Sequence, residues 1–423
     1  MSMAKPVIPI LLLTAIAGVA QAQAITPASV VDTYADIAQA GYEDSLSTAK
    51  KLKDAVTQLT QEPSEQSLNN ARVAWFAARA PYQQTEVYRF GNPLVDDWEG
   101  KVNAWPLDEG LIDYVDASYG SESDENDFYS ANIIANAFVT INGQQVDASN
   151  ITPSLLSSKL HEAGGIETNV ATGYHAIEFL LWGQDLNGGN AGAGARLHTD
   201  YNVNNCTQQN CERRAQYLTA ATDLLVSDLE YMASAWADDG EARGALDAMG
   251  EDGALAAMLI GMGSLSYGEL AGERMQLGLM LHDPEEEHDC FSDNTSTSHY
   301  YDGLGIQNVF LGKYQRVDGS SVSGPSLVDL VNQKDAALAA ELSADLQSSV
   351  DALNVMVVSQ NNDMAYDQLI AEGNTEGNAM VQTAIDALVG QTRNIERVVA
   401  LLGVSGVNIE GSDSLDDPSS VFQ

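Results

Sequence analysis

The chain has 423 residues, 44% hydrophobic and 19% charged, close to three times the ~150 residues of a common single domain. That composition supports a sizeable core and excludes wholesale disorder. The 19 basic residues face 60 acidic ones, a formal net charge of −41. Nucleic-acid binding is excluded on that balance, since affinity for a phosphate backbone rests on basic side chains displacing counterions. Cations and cationic partners are attracted instead, while most of the acidic residues serve solubility.

Residues 1–24 read as a secretory signal: Lys5 gives the charge, Val7 to Ala20 the apolar run, and Ala20-Gln21-Ala22 or Ala22-Gln23-Ala24 the cleavage site. The run is short for a membrane span, and nothing later is expected to reach the roughly 18 apolar residues a span needs. An exported protein of a bacterial periplasm follows. In that compartment Cys206 and Cys211 are expected to close a small disulfide loop. Cys290 is left over, either as a buried small hydrophobe or as a competitor for one of the pair.

The mature sequence carries helical periodicity throughout, which predicts an all-α fold. Tyr34, Ile37 and Gly41, then Leu52, Val56 and Leu59 after a loose stretch, predict a long first helix. Leu68, Ala71, Trp75, Ala78 and Tyr82 line the second, and the same line continues to Glu86 and Arg89. Tyr119 to Ser130 is an acidic loop, and Phe138 to Val146 around Asn142-Gly143 predicts a short hairpin. Gly183 to Asn205 is a Gly/Asn-rich loop without a stripe. Further stripes follow at Leu218 to Trp236, Leu255 to Met280, Leu338 to Val357 and Val381 to Leu402. Gln315 to Ser326 reads as a linker. These breaks predict two helical-bundle domains, 25–205 and 206–404, whose symmetry suggests a duplication, with a flexible tail at 405–423.

Function is argued from polar residues standing where a helix stripe turns inward. Burying a carboxylate costs several kcal/mol, on the order of the desolvation penalty, unless it is paired or binds a cation. Glu86–Arg89 and Glu273–Arg274 could meet that cost as internal ion pairs. In Gly173-Tyr174-His175-Ala176-Ile177-Glu178, His175 and Glu178 stand three residues apart, so imidazole and carboxylate share one helix face. That donor set suits zinc, iron or manganese. Two ligands are too few, and Glu86, Asp108, Asp113 and Glu273 are the candidates for the rest. The residue after His175 is Ala176 and the fourth after it is Phe179, so neither H-E-x-x-H nor its inverted form is met. Ligands without an adjacent general base favour holding a metal over hydrolysis.

Gly173-x-His175-x-x-Glu178 followed by Phe179-Leu180-Leu181-Trp182-Gly183 resembles the G-x-H-x-x-E signature of the imelysin-like family. The likeness extends to Trp75…Arg79…Tyr82…Glu86…Arg89, to Trp105-Pro106-Leu107-Asp108 with Ile112-Asp113-Tyr114, and to Gly268 to Met275. The run His288 to Thr295 is most similar to the iron-regulated branch. The resemblance implies two duplicated bundles with a site near their interface, and His175 and Glu178 as metal-binding or catalytic positions. It also implies a role in iron uptake or its regulation, with iron ahead of zinc. The other branch implies a zinc-dependent peptidase acting on a peptide substrate, with Glu178, Glu86 or Glu273 in the catalytic role. An iron-uptake partner protein, association with the outer membrane, and a receptor role for haem or a protein at the cleft are further possibilities.

The acidic run Glu285-Glu286-Glu287-His288-Asp289 is either a solvated loop or a cation site with Asp293 and His299. His161, His198 and His282 read as surface or loop residues, and Trp75, Trp105, Trp182 and Trp236 as core anchors.

Overall fold

A computed structural model describes residues 25–362 and 364–422. The secretory segment expected at 1–24 therefore lies outside the described residues. The fold is all-α with two short antiparallel strand pairs. In chain order the helices are α1 Pro27–Gln61, α2 Glu65–Gln83, α3 Pro93–Asn103, α4 Gly173–Trp182, α5 Cys211–Ala235 and α6 Glu241–Ala248. They continue as α7 Gly250–Leu281, α8 Thr295–Leu311, α9 Leu327–Lys334, α10 Ala336–Gln360, α11 Tyr366–Ile370 and α12 Thr375–Leu402.

Local chemistry explains where these helices begin. Thr26 with Ser29, Ser64 with Ser67, and Ser326 with Asp329 form reciprocal capping boxes at the starts of α1, α2 and α9. The anticipated stripes are the buried faces: Leu225, Leu229 and Trp236, then Leu342, Leu346 and Leu353, then Ile385, Leu388 and Ile395 are all inside. The long first helix is found: α1 runs unbroken over 35 residues. α2, in contrast, stops at Gln83, just past Pro81, and Glu86 lies on a separate short turn, Glu86–Tyr88.

Around Asn142-Gly143 the expected hairpin pairs β1 Phe138–Ile141 with β2 Gln144–Asp147, both turn residues having positive φ, as a two-residue I′ turn requires. The segment read as a linker at 315–326 contains a second hairpin, β3 Lys313–Gln315 with β4 Ser321–Ser323. Its Asp318-Gly319 turn was the available signal.

α1, α2, α4 and α5 pack as one four-helix group, α1 against α2 and α5, and α4 against the same two. α7, α8, α10 and α12 make a second group, in which α10 lies between α8 and α12 and both of these touch α7. α5 belongs to the first group, so that group runs past the division expected at 205/206. One large apolar cluster draws on residues from Val30 to Val404 in both groups. A smaller one lies among α7, α10, α11 and α12. Contacts of α8 with α2 and of α1 with α7 join the groups.

α7 carries two departures from expectation. It is long and apolar enough to cross a membrane by length and composition, yet 83% of its most apolar window is buried within the protein, as in a core helix. Its middle, Leu265–Gln276, follows π-helical geometry, a conformation common at functional sites. The tail expected to be flexible is laid along this stretch. Glu410 N–H donates to Ser264 Oγ at 3.1 Å, and Ser414 Oγ donates to the Gly272 carbonyl at 3.0 Å. Gly263, Gly268 and Gly272 make the approach possible: an added Cβ would come within 2.6, 2.8 and 2.3 Å of Ile409, Glu410 and Ser412.

Cys206 and Cys211 are disulfide-bonded as expected, and Cys290 is a half-buried free thiol.

Candidate metal centre

α4 holds the centre of the site, and every residue from Gly173 to Trp182 in it is buried. Gly173 opens the helix at φ +81°, and a Cβ there would meet the Val102 carbonyl oxygen at 2.4 Å. Only glycine satisfies both demands. The glycine of the sequence motif therefore seats the helix against the end of α3.

One turn on, His175 Nδ1 and Glu178 Oε2 are 3.1 Å apart. The other Glu178 oxygen accepts the Ser292 N–H at 3.0 Å and the Ser292 hydroxyl at 2.7 Å. Ser292 belongs to the loop between α7 and α8, which folds back over α4. That loop also delivers His288, whose ring centroid is 4.7 Å from that of His175. Asp289 Oδ1 lies 3.8 Å from His175 Nδ1 and 3.6 Å from His288 Nδ1. His175, His288 and Asp289 each offer a donor atom within 4.8 Å of the others. All three, and Glu178, are at most 2% exposed.

Arg79 from α2 completes the cluster. Its guanidinium donates to Asp289 Oδ1 at 2.6 Å and to Asn103 Oδ1 at 2.6 Å. Asp289 Oδ2 accepts from Asn294 at 2.9 Å and from the Ser298 hydroxyl. Burial opposes ionisation of Asp289, but Arg79 and these hydrogen bonds outweigh it and hold its pKa at about 2. Burial, with the charge on Asp289, pushes Glu178 well above the carboxylate range. Burial and the Arg79 charge bring His175 down to about 3, and burial lowers His288 as well. Both imidazoles are thus neutral at physiological pH, the form that ligates metals. His175 Nε2 is buried and has no hydrogen-bond partner.

This donor set fits a metal ion: two neutral imidazoles, an ionised carboxylate, and an orphaned ring nitrogen whose desolvation nothing in the protein offsets. Glu178 links His175 Nδ1 to Ser292 and so fixes the orientation of the His175 ring.

The other residues anticipated from sequence lie elsewhere. Asp113 accepts from Arg196 at 2.7 Å and Arg214 at 2.6 Å and is not among the donors that converge with His175. Asp108 accepts from Thr168 at 2.7 Å and from Asn126, holding loops together. Glu86 accepts from Arg274 at 2.9 Å, and Arg274 also meets Asp302 and Glu269 at 3.1 and 2.7 Å. The internal ion pair of Glu86 is therefore made with Arg274 on α7, not with Arg89. Glu273 is exposed, because the π geometry turns Arg274 inward in its place. Sequence reasoning passed over Ser292 and Arg79 as site residues, and offered His288 and Asp289 only as part of a separate acidic cation site, not as partners of His175. The signal for Arg79 was a charge on the apolar stripe of Trp75 and Tyr82.

Comparison with known proteins agrees with this architecture. Residues 38–395 match the imelysin family, peptidase M75. The chain belongs to that family. Iron-regulated protein A of Synechococcus elongatus is 30% identical over 93 residues, a match spanning 22% of this chain and 26% of that protein. A crystal structure from Parabacteroides distasonis, described as an iron-regulated protein A precursor, superposes with a TM-score of 0.63 at 20% identity. It covers 90% of this chain and 96% of its own, and at that identity the likeness speaks for the fold.

Proposed function

We propose that the protein is an exported, periplasmic metal-binding protein of iron uptake or its regulation. The ion is held by His175, His288 and Asp289, with Glu178 positioning His175. The convergence of those donors in one buried cluster, with His175 Nε2 unpaired, is the observation that carries this reading. Iron is favoured over zinc on two grounds: the iron-regulated name of the relatives, and a donor set with oxygen as well as nitrogen. The two four-helix groups, with the cluster at their junction, agree with an origin by duplication.

Burial of the cluster weighs against polypeptide cleavage. A peptide bond cannot reach groups that are at most 2% exposed without opening of the loop that carries His288. Glu178, the nearest carboxyl to serve as a base, is engaged by Ser292 and His175.

Equilibrium titration of the chelator-treated chain with ferrous, ferric and zinc ions tests the proposal. One iron per chain is expected, with at least tenfold weaker binding in both His175→Ala and Asp289→Asn. Iron binding that survives both substitutions unchanged would remove the site. Cleavage of an unfolded polypeptide that is abolished by chelator and by Glu178→Gln would replace the proposal with the peptidase reading.

A further inference from the structure

A second group of donors lies on the same loop and takes no part in the cluster above. Glu287, Asp293 and Asp367 each present a carboxylate oxygen within 4.8 Å of the other two. Glu287 and Asp293 flank the run that supplies His288, Asp289 and Ser292, while Asp367 stands at the start of α11, so two distant chain segments meet.

The second observation is the condition of Asp367. It is 2% exposed, and neither of its carboxylate oxygens has a hydrogen-bond partner. Asp293 Oδ1 is buried without a partner as well. Glu287, 1% exposed, accepts the Asp367 backbone N–H through Oε1 at 2.9 Å. Among the described residues no lysine or arginine pairs with any of the three. An orphaned buried carboxylate forfeits its whole hydration, and here two more carboxylates stand beside it. Burial, with the charge of neighbouring carboxylates, raises Asp293 to about 7 and Asp367 to about 6.

Three oxygen donors with neither nitrogen nor sulfur select a hard cation. Magnesium demands near-ideal octahedral geometry and keeps several waters, whereas calcium accepts an irregular oxygen shell completed by carbonyls and water. The donors here come from a loop and a helix start, an irregular set. We propose that Glu287, Asp293 and Asp367 form a calcium site, separate from the His175 centre, that ties the α7–α8 loop to α11. This goes beyond the proposed iron function and does not depend on it.

Calorimetric titration of the chelator-treated full chain with calcium chloride, alongside thermal denaturation, tests the site. One calcium per chain is expected, with a Kd on the order of 10⁻⁴ M or tighter and a rise in Tm. Magnesium chloride should bind at least tenfold more weakly. Asp367→Asn, with Asp293→Asn as the second variant should the first fail to fold, should lose the calcium heat and the Tm rise. His175→Ala should keep both, which separates this site from the iron centre. The proposal is overturned by no heat and no Tm change up to about 5 mM calcium, above the weakest extracellular range. It is equally overturned by calcium binding that persists in the folded variants, that vanishes in His175→Ala, or that magnesium matches.

Discussion

Asp113 illustrates how a single carboxylate can look like a ligand and be something else. Its two arginine partners, Arg196 and Arg214, are buried with it. Removing one side of a buried pair costs about 3–5 kcal/mol, so Asp113→Ala should lower the denaturation free energy by that order and leave metal stoichiometry unchanged. Burial opposes the Asp113 charge, but the arginines win and depress its pKa below 3.8. Its contribution is therefore present above that pH and is lost as pH falls through the depressed value. Glu109 behaves oppositely. Burial lifts it from 4.5 to about 7, so the native state holds the proton more tightly than the unfolded chain. Stability from this group is full below 4.5 and declines as pH rises toward 7. Glu109→Gln should gain on the wild type at pH 8 relative to pH 5 in urea denaturation, whereas an equal difference at both pH values would contradict the assignment. His175 and Glu178 were legible in the sequence because three-residue spacing on a helix fixes a shared face. His288 and Asp289 were legible as cation donors but not as partners of His175, since their meeting with α4 joins segments more than a hundred residues apart in the chain.

At the scale of elements, α4 is seated by its first residue. Gly173→Ala forces a side chain into positive φ and against the Val102 carbonyl. A loss of more than about 1 kcal/mol is expected, together with weakened metal binding, because the whole helix must shift. Unchanged stability and affinity in the variant would show that the close approach is not required. The helices themselves were readable, since a 3.6-residue period survives in every long stripe. What escaped was irregular geometry. Pro81 ends α2 before Glu86, and the π stretch in α7 buries Arg274 and exposes Glu273. Gly263, Gly268 and Gly272 form the groove that receives the tail, a contact that helical periodicity does not announce.

For the molecule as a whole, the charge of −41 opposes compaction through self-repulsion. Raising sodium chloride from about 20 to 500 mM, which shortens the screening length several-fold, should raise Tm by several degrees; a flat or falling Tm would contradict this. The same acidity supplies carboxylates to both of the proposed cation sites that the α7–α8 loop helps to form, so the loop that covers His175 is also where negative charge collects. All of this converges on whether the buried His175 cluster holds an ion. Elemental analysis of the protein, purified without added metal beside His175→Ala, tests that most directly. Close to one iron per chain in the native protein and near none in the variant is the predicted result. Equal metal content in the two, or none in either after iron is supplied, would contradict it.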